Sequence, residues 1–158
     1  MMTSLCCEVL TCLQGKTLVT AESLTGGGIG AALTGISGSS AVYKGGVICY
    51  TNWVKENILG VPGDVLETCG AVSLPVAKAM AEGVRNLLKA DVAVSVTGLA
   101  GPGGDEYGNS VGTVCIGYAD ERENFSEIFH FDGDREAVRK QTAENALRLI
   151  LERNNTRN

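Results

Sequence analysis

The sequence has too few histidines for most histidine-based enzymes and lacks the long apolar stretches of membrane proteins. It contains a single histidine, His130, which excludes any mechanism or metal site that needs two. No stretch of about 18 apolar residues occurs, so no membrane span is predicted. No basic residue precedes the apolar N-terminal stretch, and Glu8 interrupts it. We therefore predict no signal peptide and expect a cytoplasmic protein.

Several chemical signatures are also missing. The chain has neither a Walker A loop nor a G-x-S-x-G nucleophile elbow. Its six cysteines contain no C-x-x-C pair and have no spaced histidine partner, which argues against a zinc site. We expect no metal and no cofactor, and we expect the cysteines to be small packing residues, none of them catalytic. The cysteines are Cys6, Cys7, Cys12, Cys49, Cys69 and Cys115.

Basic residues are outnumbered, with 13 against 18 acidic ones and a net charge of −5. This balance argues against a protein that binds nucleic acid or an anionic membrane through bulk charge. The length of 158 residues predicts one domain spanning 1–158. Glycine is abundant, with 21 residues, which indicates tight turns or close approaches of the backbone to a ligand.

Strand-like and helix-like segments alternate along the chain. Apolar runs typical of strands occupy 17–22, 45–50, 91–97, 111–118 and 125–131. Helical spacing marks 4–14, the segment after the first glycines, a short segment from Asn52, a long one from Ser73, and 134–153. In the helix from Ser73 we expect a buried stripe of Val76, Met80, Val84 and Leu87. The order predicts a three-layer α/β/α sandwich with a mostly parallel sheet and a C-terminal antiparallel strand pair.

The first candidate site is the segment from Thr20 to Gly28, TAESLTGGG. Ser23 follows a strand and precedes glycines that open a helix, a suitable place for a nucleophile. Backbone N–H groups at such a turn can stabilise an oxyanion or bind phosphate. The alternative is that Ser23 or Thr25 only caps the helix.

The second candidate is Tyr50 with Lys55, just beyond the second predicted strand. Open α/β sheets bind ligands at the carboxyl ends of their strands. A lysine in a partly dry pocket has a lowered pKa and can deprotonate a serine. The alternative is a solvated lysine and a tyrosine that packs its ring.

Two further segments complete the candidate set. The glycine-rich loop from Thr97 to Gly104 follows the most apolar strand, and its bare amides can wrap a phosphate. Arg135 and Arg139 lie one helical turn apart and present a cationic face suited to an anionic substrate group. The alternatives are an ordinary flexible loop and a solvated helix face.

Together these segments resemble a known family, the C-terminal domain of the competence/damage-inducible protein CinA. Its enzyme members are the nicotinamide-nucleotide amidases of the PncC type. The matching motifs run from Thr20 to Thr142, so they cover nearly the whole chain in family-like order and spacing. The chain looks like the stand-alone form without an additional N-terminal domain. The motifs are TAESLTGG, GSSAVYKGGVICYTNWVK, GVP, GAVS, MAEG, VTGLAGPGG, VGTV and FDGDREAVRKQT.

The resemblance implies hydrolysis of the carboxamide of nicotinamide mononucleotide to nicotinic acid mononucleotide and ammonia, without metal. It implies that Ser23 is the nucleophile and that Lys55, with Tyr50, activates it. Thr97 and an arginine of the GDR segment are further implied site residues, with Arg135 ahead of Arg139. The full set expected to bind substrate is Thr25, Gly26, Gly27, Thr97, Gly101, Gly103, Arg135 and Arg139.

One position departs from the family pattern: Leu24 stands where the family usually has cysteine. Two other classes of function stay open from the sequence. One is a catalytically silent module that binds a nucleotide or a partner, and the other is a Ser/Lys amidase for a different small amide. We expect nicotinamide mononucleotide as the small-molecule partner, no direct contact with nucleic acid or membrane, and a homo-oligomeric state.

Overall fold

A computed structural model describes residues 1–155 and contains a five-stranded sheet with six α-helices in that range. The strands are β1 (Leu18–Glu22), β2 (Tyr43–Ile48), β3 (Val92–Gly98), β4 (Thr113–Ala119) and β5 (Asn124–His130). The helices are α1 (Met2–Cys12), α2 (Gly28–Thr34), α3 (Asn52–Asn57), α4 (Gly63–Cys69), α5 (Leu74–Leu88) and α6 (Arg135–Asn155). Within residues 1–155 no helix is both long and apolar enough to span a membrane.

The sheet is mixed, with strand order β2-β1-β3-β4-β5. Strand β1 pairs in parallel with β2 and β3, whereas β4 pairs antiparallel with β3 and with β5. The expected C-terminal antiparallel pair is confirmed, but the expectation of a mostly parallel sheet is wrong. The segment 99–112 between β3 and β4 contains no helix to carry the chain back across a sheet face, so β4 returns antiparallel.

Alternating side chains of β3 belong to two different hydrophobic clusters. Val94 and Val96 of β3 belong to a cluster that includes residues of α1, α2 and α6. Ala93 belongs to the other, with the buried face of α5. Because neighbouring side chains of a strand point to opposite faces, helices cover both faces, and the mixed α/β class is confirmed.

Two local expectations needed correction. Val76, Met80 and Val84 are fully buried as expected, but Leu87 is 49% exposed. Leu87 lies in the last turn of α5, where Leu88 packs against the core instead. Helix α4 was not expected from the sequence. It ends at Cys69.

Candidate active site

The three parallel strands bring their carboxyl ends to one edge of the sheet. Ser23 directly follows β1, Tyr50 lies two residues beyond β2, and Thr97 is near the end of β3. Lys55 enters from the short helix α3. These side chains line one open cleft of about 320 Å³, which is a size that suits a small ligand. Leu99 and Arg135 complete its wall.

Ser23 and Lys55 form a direct contact at the base of the cleft. The Lys55 Nζ lies 2.9 Å from the Ser23 Oγ and donates to the Cys49 carbonyl at 2.8 Å. The lysine is only 1% exposed, although it sits next to an open cleft. The structure thus brings together the two residues that the sequence nominated as nucleophile and base.

The surroundings of Lys55 make its charged form less favourable than it is in water. Burial lowers the pKa of the Lys55 amine, and the neighbouring Cys49 thiol has only a smaller, opposite effect on it. Within the described residues no carboxylate forms an ion pair with this amine. A neutral amine has a free lone pair, so it can accept the proton of the Ser23 hydroxyl.

The turn that carries Ser23 depends on a residue that sequence reasoning missed, Glu22. Its side chain is 2% exposed and accepts a hydrogen bond from the Thr25 hydroxyl at 2.7 Å. It also accepts from the backbone N–H groups of Ile29 at 2.7 Å and Gly30 at 3.0 Å. The available signal was an acidic residue at the end of a strand that is otherwise buried and uncharged.

These contacts change the interpretation of the turn. Helix α2 has Gly27 at its N-cap and no side-chain cap from Ser23 or Thr25. The Thr25 hydroxyl points to Glu22 rather than into the cleft, so the structure does not place it on a substrate. Gly26 donates its N–H to the Ser23 carbonyl at 3.1 Å. Gly26 and Gly27 have φ values of +58° and +100°, so both shape the turn and neither lines the cleft.

The two candidate arginines have different surroundings. Arg135 lines the cleft, where its guanidinium donates to the Gly101 carbonyl at 2.7 Å and lies 3.4 Å from the Tyr50 hydroxyl. Arg139 instead donates to the backbone carbonyls of Leu24 at 2.9 Å and Thr25 at 3.2 Å. Only Arg135 is therefore placed to meet a substrate.

Tyr50 is placed at the mouth of the cleft rather than on the Ser23–Lys55 pair. Its side chain is 61% exposed, and its hydroxyl faces Arg135. Its backbone carbonyl, by contrast, lies 3.5 Å from the Lys55 Nζ. The phenol is thus positioned for substrate contact, while the main chain helps to hold the lysine.

The glycine-rich loop contributes less than the sequence suggested. Thr97 lines the cleft, but its hydroxyl donates to the Ala71 carbonyl at 2.9 Å. Gly101 acts through its carbonyl on Arg135, and Gly103 lies outside the cleft lining. Gly98 and Leu99, which were not singled out, do line it.

In residues 1–155 no group of three or more metal-ligating side chains could hold a metal ion.

The cysteines and His130 lie outside this chemistry. Burial raises the pKa of the Cys49 and Cys115 thiols to about 11, which disfavours the thiolate that a nucleophile needs. His130 is exposed on the edge strand β5, 3.4 Å from the Thr113 hydroxyl and outside the cleft lining. Neither His130 nor any cysteine lines the cleft, and Cys49 holds Lys55 through its backbone carbonyl.

We predict that a variant with all six cysteines replaced by alanine or serine keeps any enzymatic activity of the parent to within an order of magnitude. The buried cysteines only pack, so their loss should lower the free energy of unfolding by about 1 kcal/mol each. Activity and urea unfolding measured on the same preparation check this. Loss of activity in a fully folded variant would give a cysteine a chemical role.

Comparisons with known proteins agree with the fold and the motifs. The family model described as "CinA C-terminal domain" matches residues 3–154. A CinA-like protein of Parasynechococcus marenigrum is 48% identical over 154 residues, which is 95% of this chain and 37% of that protein. A CinA-like protein of a Mycobacterium species is 45% identical over 145 residues, which is 90% of this chain and 34% of that protein. The chain thus spans about a third of the length of these curated relatives.

Solved structures extend the similarity to three dimensions. A CinA superfamily protein from Klebsiella pneumoniae matches with a TM-score of 0.94 at 34% identity, covering 97% of each chain. A CinA superfamily protein from Escherichia coli matches with a TM-score of 0.94 at 34% identity, over 96% of this chain and 90% of that one. At this identity and coverage, the similarity extends over the whole domain.

Proposed function

Since the chain belongs to the CinA C-terminal domain family, we propose that it is an amidohydrolase that converts nicotinamide mononucleotide to nicotinic acid mononucleotide and ammonia. The observation that carries the proposal is the 2.9 Å contact between the buried Lys55 amine and the Ser23 hydroxyl. The proposal includes a cytoplasmic location, a homo-oligomeric state, no direct contact with nucleic acid, and independence of metal ions and cofactors.

Acylation begins with the Ser23 hydroxyl. The neutral Lys55 amine accepts the hydroxyl proton as the Oγ attacks the carboxamide carbon, forming a tetrahedral intermediate. Lys55, now an ammonium, returns a proton to the departing nitrogen, and ammonia leaves. The Tyr50 hydroxyl faces Arg135 instead of this pair, so we assign proton delivery to Lys55 rather than to Tyr50.

The oxyanion of the intermediate needs a donor close to Ser23. The N–H groups of Gly26, Ile29 and Gly30 are already engaged within the turn. The N–H of Leu24 immediately follows the nucleophile and has no hydrogen-bond partner within the described residues. We assign it as an oxyanion donor; since a backbone N–H performs this task, the change from cysteine to leucine at this position leaves it in place.

Deacylation repeats the same proton transfers with water. Lys55 removes a proton from water, which attacks the acyl-enzyme carbonyl, and the amine then returns a proton to the Ser23 Oγ. The cleft is open to solvent, so water reaches the ester directly. The products are a carboxylate and the regenerated serine.

The anionic end of the substrate fits the mouth of the cleft. Arg135 is the guanidinium that lines it, and the exposed Tyr50 ring lies beside that group. A guanidinium binds phosphate through charge-assisted hydrogen bonds. We propose that Arg135 binds the 5′-phosphate while the carboxamide reaches Ser23.

Replacing Arg135 by glutamine should raise the KM for nicotinamide mononucleotide by about 10- to 100-fold, because a hydrogen bond to a charged group contributes about 1.5–3 kcal/mol. The KM for nicotinamide riboside, which has no phosphate, should change little. Arg148→Gln is the matched control, because within residues 1–155 the ion pair of this α6 arginine is with Glu144. Equal changes for both substrates would mean that Arg135 acts through the loop at Gly101 instead.

The decisive test of the function is ammonia release from three substrates by the purified protein. We expect nicotinamide mononucleotide to react with a higher kcat/KM than the riboside or free nicotinamide. A faster reaction with another small amide would favour a different Ser/Lys amidase. No ammonia from any amide, with nucleotide binding retained, would favour a silent binding module.

A further inference from the structure

We propose that Glu22 and Arg139 are positioning residues that hold the Ser23 turn, one by accepting from its N–H and O–H groups and the other by donating to its carbonyls, and so aim the nucleophile at Lys55. This inference rests on the proposed function, because it assigns a task to residues around the same serine. It differs from the expectation that Arg139 binds substrate.

Glu22 holds the turn by accepting hydrogen bonds from its N–H and O–H groups. Its Oε1 accepts from the Thr25 hydroxyl and the Ile29 N–H, both at 2.7 Å. Its Oε2 accepts from the Gly30 N–H at 3.0 Å and the Thr20 hydroxyl at 3.1 Å. A carboxylate accepts at both oxygens, so all four donors are satisfied in a buried place. A glutamine there would turn an NH₂ group towards two of these donors.

Arg139 holds the same turn by donating hydrogen bonds to its carbonyl groups. The guanidinium reaches from α6 and donates to the carbonyls of Leu24 and Thr25, the two residues after the nucleophile. A lysine has the charge but not the planar arrangement of donors needed to reach both carbonyls. Glu22 and Arg139 therefore act on complementary groups of one short turn.

The serine is also held by the sheet. Its N–H donates to the Val96 carbonyl of β3 at 3.0 Å. The main chain at and after Ser23 is thus held by hydrogen bonds to β3 and to Arg139, and these contacts set the direction of the Ser23 side chain. Because a misplacement of about 1 Å can cost about 100-fold in rate, loss of either support should be seen in the chemical step.

Thr25→Val removes one donor to Glu22 with almost no change in volume. Arg139→Lys keeps the charge but removes the planar guanidinium that donates to both carbonyls. The readout is the rate at which a fluorophosphonate labels Ser23, which needs no nucleotide binding, together with kcat and KM. Both variants should label at least about tenfold more slowly, with kcat reduced and KM little changed. Thr25→Ser, which retains the hydroxyl, should restore the labelling rate.

Thr142→Val is the matched control. It also removes a fully buried hydroxyl, which donates to the Val138 carbonyl at 2.7 Å within α6. Its labelling rate should equal that of the parent even where its stability falls. Labelling of Thr25→Val and Arg139→Lys at the parent rate would overturn the positioning roles. Labelling that is absent in the parent, or unchanged in Ser23→Ala, would instead overturn the nucleophile and with it the proposed function.

Discussion

Ser23→Ala is expected to reduce ammonia release by at least about 10³-fold, because in the proposed mechanism the Ser23 Oγ forms the acyl-enzyme. The fold should stay intact, since the lost hydroxyl contacts only Lys55 among the described hydrogen bonds and does not cap α2. Steady-state release of ammonia and urea unfolding measure the two effects separately.

Ser126→Ala is a suitable control for the serine change. Its hydroxyl donates to the Leu74 carbonyl at 2.7 Å, outside the cleft, so activity should be unaffected. If Ser23→Ala were active and less stable by about 0.5–2 kcal/mol, the serine would have the energetic signature of a helix cap and not of a nucleophile.

Lys55→Met is expected to lower kcat by about 10²- to 10⁴-fold, which is the usual contribution of a positioned acid–base group. Methionine has a similar length and fills the buried channel without an amine. The pH dependence follows from the lowered pKa of Lys55. Below that pKa the amine is protonated and cannot accept the Ser23 proton, so activity of the parent should rise with pH through it.

Two controls isolate the base. Lys44→Met changes a lysine on β2 whose amine donates to the Lys89 carbonyl at 3.3 Å, and His130→Ala removes the single histidine. Both should retain the parent rate and the parent pH profile. A folded His130→Ala variant without turnover, beside an active Lys55→Met variant, would show that the Ser/Lys mechanism is wrong.

The sequence was informative where function depends on position along a strand. Ser23, Tyr50 and Thr97 were singled out because each lies at or near the carboxyl end of a predicted strand, and parallel strands do bring those ends together here. Lys55 was chosen as the lysine just beyond such an end, and the structure places its amine 2.9 Å from the Ser23 hydroxyl. Local patterns are sufficient for such choices, since strand periodicity fixes where each strand ends.

The sequence was less informative where function depends on contacts between distant segments. Arg135 and Arg139 are equivalent by spacing, but a rotation of about 40° between positions four apart on a helix sends one to the cleft and the other to the Ser23 turn. Glu22 could not be assigned either, because its partners are defined only once α2 packs over β1. The direction of β4 likewise follows from a helix-free connection that local periodicity does not reveal.

The most direct measurement of the central claim is the ionisation of the Lys55 amine, followed by NMR on protein with isotope-labelled lysine. The Ser23–Lys55 mechanism predicts a pKa below the ordinary lysine value, as its burial implies, and coincident with the midpoint of the rise in activity with pH. A Lys55 amine that stays protonated throughout the pH range in which the protein releases ammonia would contradict the mechanism.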